Sequence, residues 1–248
     1  MERIERLFPR YDQEGRALIK KAYDIAAQSL ADLQRSNGKP FIEHPDAVAR
    51  IADEEIGLSA ECIAAVYLHE AVRFKPETDI LSHGFGQDVL TIVDGLNKIS
   101  TINPKDTRLE AENYKRLIVS YSRDPRVTVL KIADRLEVMR SLEMFPKASR
   151  ERKVLETMML YIPLAHQLGL YNIKSELEDI YFRYAEPEQY RAITNKLKST
   201  EGDRQKLMTQ FIEPLKQKLS EEGIKYKLKV RTKTALSIYK KKIGRAHV

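Results

Sequence analysis

Only one cysteine, ten glycines and ten prolines occur among the 248 residues. No apolar run approaches the 18 or more residues that a membrane-spanning helix needs. A single cysteine excludes an internal disulfide and a cysteine-rich zinc knuckle. Cys62, inside Cys62-Ile63-Ala64-Ala65-Val66, is predicted to pack as a small hydrophobe. The scarcity of Gly and Pro excludes collagen-like and linker-rich chains. Met1-Glu2-Arg3-Ile4-Glu5-Arg6 has no apolar signal core, so a cytoplasmic protein without a membrane partner is expected.

What is present is ordinary globular composition: 42% hydrophobic and 32% charged residues, which argues against disorder. The length suits one large or two modest domains. Lys and Arg total 43 against 36 Asp and Glu, a net charge of +7. The excess is local. Lys225 to Lys242 is rich in Lys and Arg and holds no acid, whereas upstream the two signs intermix as on solvated helix faces. Such a block points to a phosphate-rich partner, nucleotide or nucleic acid, or else to a solvated tail.

From Tyr11 to about Ser220 apolar residues recur at three and four, as in Leu18-Ala22-Ile25-Ala26-Leu33. Breaks fall at Asn37-Gly38-Lys39-Pro40, Phe74-Lys75-Pro76, Asn103-Pro104, Asp124-Pro125, Phe145-Pro146 and Glu186-Pro187. Ser59 and Asp124 read as helix starts, and Pro163 should kink the helix it interrupts. After Gly223 the period changes to two, with Ile224, Tyr226, Leu228 and Val230 alternating with Lys225, Lys227, Lys229 and Arg231. That predicts a strand. The fold expected is mainly α: a helical domain over 1–198, then over 199–248 a connecting helix and the first strand of an α/β domain that the sequence leaves truncated.

Four polar positions stand among apolar neighbours: His44 before Pro45, His69-Glu70 closing Cys62–Leu68, and Asp134 after Val129–Ala133. A charge on an apolar helix face is costly unless paired or metal-bound. Two imidazoles and two carboxylates suit a divalent cation such as Mn²⁺; hydrogen-bonded core histidines and an ion pair of Asp134 with Arg135 explain the same pattern.

Gly38-Lys39-Pro40-Phe41-Ile42-Glu43-His44-Pro45, then Leu68-His69-Glu70, then Lys131-Ile132-Ala133-Asp134-Arg135-Leu136 resemble the hydrolase domain of RelA/SpoT enzymes. The likeness continues through Ile162–Gly169 and Ile173–Asp179. These enzymes carry a helical HD metal-dependent phosphohydrolase domain and make or destroy the alarmone (p)ppGpp. The resemblance implies Mn²⁺ ligation at His44, His69, Glu70 and Asp134, guanine stacking on Arg35, and a nucleotide contact at Ser141. It also implies a water-activating Glu-Asp pair four and five residues after His69, and a pocket Asn four after Asp134.

The sequence departs from that pattern at one place in the site. The family's paired Asp is Glu70, the acid pair is Arg73 and Phe74, and the pocket Asn is Val138. Arg73 cannot accept a proton, and Phe74 fills space. The expectation is a degenerate, hydrolysis-inactive site, metal-free or weakly metal-binding, with Arg73 held between Glu70 and Asp134.

Arg231-Thr232-Lys233-Thr234-Ala235-Leu236-Ser237-Ile238-Tyr239-Lys240-Lys241 resembles the opening of the family's synthetase domain. There Arg231, Lys233, Ser237 and Lys241 match ATP-binding positions, and the Mg²⁺-binding and catalytic acids would lie further on. Synthesis of (p)ppGpp from ATP and GDP or GTP is therefore not expected of this sequence. Implied partners are guanine nucleotides, ATP and, for the intact protein, the ribosome. Two alternatives stand beside a regulatory pseudo-hydrolase in the stringent response: a working Mn²⁺ hydrolase drawing on Glu77 or Asp79, and a basic RNA- or ribosome-binding module.

Overall fold

The computed structural model describes residues 2–76, 78–79, 83–100, 124–228 and 233–246. Packing divides the chain into two units, Met1–Leu177 and Glu178–Val248; the change of period in the sequence had put the boundary near Ser199.

Among its described residues the first unit is built of helices: α1 Glu2–Leu7, α2 Gln13–Ser29, α3 Glu43–Arg50, α4 Ala60–Phe74, α5 Gln87–Ser100, α6 Pro125–Arg140, α7 Lys147–Glu156, α8 Ile162–Gln167 and the start of α9 Tyr171–Ala185. Helix α4 is its axis. Every residue from Cys62 to Ala71 is buried, because α2, α3, α5 and α6 all pack on it. A helix apolar on all faces belongs in a core, and Cys62 sits there as expected, 1% exposed. Asp124 caps α6 through a bond from the Arg126 amide, with Pro125 in the first turn. Ser59 opens α4 in an extended conformation, its hydroxyl turned to the Cys62 sulfur.

Two π-helical turns interrupt the α pattern, Ile51–Ile56 after α3 and Thr157–Tyr161 between α7 and α8. The second lies just before Pro163. Proline cannot donate to the carbonyl four residues back, and the widened turn is how the helix accommodates it. Arg35 to Pro40 form a tight turn closed by the Arg35 amide donating to Lys39 O and the Gly38 amide to Arg35 O. Gly38 has φ +79°, a conformation that glycine alone adopts without strain.

The second unit contains the end of α9, α10 Pro187–Ser199, α11 Glu201–Glu221 and α12 Ala235–Ala246. Phe182, Ala235 and Leu236 form its core, flanked by Tyr190, Ile193 and Tyr239. Helix α11 buries no residue; Leu207 and Phe211 are 65% and 78% exposed. The strand expected over 224–230 is not observed in its described part: 224–228 is non-helical and unpaired, and 229–232 lies outside the described residues. A strand is stabilised by its ladder, and no partner strand exists among the described residues. Nor, among them, is any helix long and apolar enough to cross a membrane.

Candidate functional site

The turn before α3 and helices α3, α4 and α6 bring the expected residues of the first unit together. His44, on the first turn of α3, is buried, as are His69 and Glu70 of α4. Glu70 Oε1 lies 3.8 Å from His44 Nε2 and 3.5 Å from His69 Nε2. Asp134 of α6 reaches in with Oδ1 at 3.3 Å from His44 Nε2. His44 thus turns Nε2 toward both carboxylates, and His69 turns Nε2 toward Glu70. Their other nitrogens are anchored from behind: His44 Nδ1 donates to Glu137 Oε2 at 2.6 Å, and His69 Nδ1 to Asn97 Oδ1 at 2.7 Å.

Two side-chain cations enter this group. Lys131, buried, directs Nζ to Asp134 Oδ2 and to His69 Nε2, each at 3.5 Å. Arg73 donates through Nη1 to both Glu70 oxygens, at 3.3 and 3.4 Å, and its guanidinium lies 5.3 Å from the Phe74 ring centroid. It does not bridge to Asp134 as expected. On α6 Lys131 precedes Asp134 by one turn and takes that carboxylate, leaving Arg73 on its own helix neighbour. Phe74 stacks edge-on with Phe41 at 4.7 Å at the rim.

The electrostatics follow from these contacts. Burial pushes His44 down, but hydrogen bonds to Asp134 and Glu137 outweigh it and raise the imidazole to about 10. Burial and the Lys131 charge lower His69 to about 3, so it is a neutral acceptor. Burial alone would raise Asp134; Lys131 and His44 hold it well below the usual carboxylate range. The repulsion expected between uncompensated carboxylates is therefore relieved by His44 and Lys131 rather than by Arg73 alone.

Two of the four residues expected to hold a divalent cation have a side-chain cation as partner. Among the described residues no group of three or more His, Cys, Asp or Glu is disposed to hold a metal ion. Glu70 is engaged by a guanidinium and Asp134 by an ammonium. An ammonium ~4 Å from a doubly charged ion opposes it by about 8 kcal/mol at an effective dielectric of 20.

Beside this cluster lies a cavity of about 330 Å³, lined in part by Arg35, Phe41, Arg73, Val138, Phe145 and Tyr161. Arg35 Nη2 donates to Glu137 Oε1 at 2.5 Å and to Ser141 Oγ at 3.2 Å. The residue expected to stack on a base is thus tied to α6. Of the alternative acids, Asp79 lines a different cavity with Asn97 and Val72, and Glu77 is outside the described residues. In the second unit Lys233 and Lys241 line a cavity of about 600 Å³ with Lys196, Lys242 and Ile193. Ser237 donates its amide to Thr234 Oγ1 at 3.3 Å, and Arg231 is outside the described residues.

A family profile described as HD domain matches residues 22–171, the span that holds every residue of the cluster. The chain belongs to the HD domain family. It is also 35% identical over 242 residues to a guanosine-3′,5′-bis(diphosphate) 3′-pyrophosphohydrolase of Aquifex aeolicus (strain VF5), covering 97% of this chain and 34% of that protein. The bifunctional (p)ppGpp synthase/hydrolase SpoT of Escherichia coli (strain K12) is 34% identical over 227 residues, 91% of this chain and 32% of the relative. A GTP pyrophosphokinase of Myxococcus xanthus is 34% identical over 229 residues, 90% of this chain and 30% of the relative. The chain spans about a third of the length of these curated relatives.

Sequence reading of this HD domain missed Glu137, Lys131 and Asn97. Glu137 had a usable signal, a carboxylate between Leu136 and Val138 one turn after Asp134. Lys131, between Leu130 and Ile132, had the same kind. Asn97 carried none, since its role comes from α5 packing on α4.

Proposed function

We propose that this HD domain belongs to a (p)ppGpp-metabolising enzyme and acts as a nucleotide-binding regulatory domain without hydrolase activity. One observation carries the reading: the carboxylate next to His69 is neutralised by Arg73, which stands where the resemblance calls for the water-activating acid. Without that acid there is no base for the attacking water, and with Glu70 and Asp134 engaged there is no place for a metal to acidify it. The cavity beside the cluster remains of a size for a mononucleotide. The same reading assigns ATP to the lysine-lined cavity of the second unit and Mg²⁺ to a complete synthetase. It also assigns ribosome association to the intact protein and cytoplasm as its location.

A second reading, a variant Mn²⁺ hydrolase, has in its favour that both Nε2 atoms face Glu70 and that His44 Nε2 also faces Asp134. One experiment separates the two. The purified chain is incubated with ppGpp and Mn²⁺, and in parallel ppGpp binding is measured in EDTA. Binding without release of pyrophosphate is expected. Mn²⁺-dependent release would overturn the regulatory reading, and no binding at all would remove the nucleotide from it.

A further inference from the structure

Five Lys and Arg side chains line the 330 Å³ cavity: Arg35, Arg73, Lys131, Arg135 and Lys153. Four of them have a carboxylate: Arg35 has Glu137, Arg73 has Glu70, Lys131 has Asp134, and Arg135 has Glu156 at 2.9 Å. Lys153 has none among the described residues. Its neighbour Glu156 is shared by Arg135 and Arg152, and its ammonium lies 4.5 Å from the Phe145 ring centroid. The wall that carries it is firmly built. Thr157 Oγ1 and Arg135 Nη1 both donate to the Lys153 carbonyl, at 2.7 and 3.3 Å. Arg135 in turn stacks on Tyr161 at 4.2 Å.

We propose that Lys153 is a phosphate-binding residue of this cavity, which recognises the charged end of a guanosine nucleotide through a side-chain ammonium in place of a metal ion. The inference rests on the regulatory reading above and gives that reading its ligand contact. A half-buried ammonium beside the largely buried Arg135 guanidinium is incompletely matched; burial and the Arg135 charge lower its proton affinity, and Glu156 and Asp134 offset this only in part. A phosphate oxygen supplies the missing charge and accepts up to three N–H donors. The aromatic ring beneath adds a cation–π contact that orients the ammonium without neutralising it. Arg73 at the rim, only half-engaged in solvent, lies on the same cavity.

Because Lys153 forms no ion pair among the described residues, a substitution should separate binding from stability. Isothermal titration in EDTA is carried out with ppGpp, GDP, guanosine and inorganic pyrophosphate on the wild type, Lys153→Met and Lys153→Arg. The expected result is at least about tenfold weaker ppGpp binding in Lys153→Met, the scale of one charge-assisted hydrogen bond. Guanosine binding should be unchanged, and Lys153→Arg should retain affinity within about threefold. The urea midpoint of Lys153→Met should equal or exceed that of the wild type, which a merely structural lysine would not give. Full ppGpp affinity in Lys153→Met would overturn the assignment while leaving nucleotide binding intact. Equal affinity of the wild type for guanosine and ppGpp would overturn it too. If the wild type binds none of the nucleotides, the regulatory reading itself fails.

Discussion

Glu137 joins the two arms of the site. One oxygen accepts from His44 Nδ1 at 2.6 Å, the other from Arg35 Nη2 at 2.5 Å. The carboxylate is 6% exposed and Arg35 11%, so both charges are withdrawn from water and each depends on the other. Removing one member of such a pair leaves a buried charge unmatched, at a cost of about 3–5 kcal/mol. Glu137→Ala should lose stability of that order in urea denaturation. A loss below about 1 kcal/mol would mean the pair is not built as described.

Restoring carboxylates tests the proposal that the site lacks hydrolase activity. The combination Glu70→Asp, Arg73→Glu, Phe74→Asp and Val138→Asn removes the cation from α4 and returns the acid pair and the pocket amide. It should produce Mn²⁺-dependent pyrophosphate release, which is not expected of the parent. Persistent inactivity would shift the cause to the loop after Phe74.

Metal addition should do little to the parent. A ligand stabilises the folded state only as far as its concentration exceeds its Kd. Millimolar Mn²⁺ is expected to raise the melting temperature by less than about 1 °C, and the same addition to the fourfold variant by several degrees. Scanning calorimetry with and without EDTA reads both.

Gly95 of α5 packs directly against Val127 of α6. A Cβ there would lie 2.7 Å from Val127 Cγ2, and Val127 is itself buried with a stiff χ1. Helix propensity favours Gly95→Ala by about 1 kcal/mol, while overpacking costs about 1–3 kcal/mol. The clash should win, and the variant should melt below the wild type. A higher melting temperature would show that α5 and α6 can move apart freely.

Cys62 supplies a pH test of burial. Burial raises its thiol above the ordinary value, so less thiolate exists at any given pH than in an open chain. The nucleophile is the thiolate. Native protein at pH 8 should therefore resist an aromatic disulfide reagent, with the one thiol titrating promptly after unfolding in urea. Stoichiometric reaction of the native chain within seconds would contradict the packing of α4.

The helical character, the start of α6 at Asp124-Pro125 and the burial of α4 were legible in the residues themselves, because period, caps and proline act locally. His44, His69, Glu70 and Asp134 were legible as a set for a related reason: a charged group within an apolar stretch must be answered by something. What answers it is a tertiary matter. Arg73 was expected to stand between Glu70 and Asp134, yet Lys131 reaches Asp134 first, from one turn away on its own helix. Asn97 meets His69 across 28 positions of sequence, and only the packing of α5 on α4 brings them together. The alternating segment after Gly223 has the period of a strand, but a strand is completed by a neighbouring edge, which no periodicity supplies. Composition and spacing determined which groups needed partners; the distances between helices decided which partners they obtained.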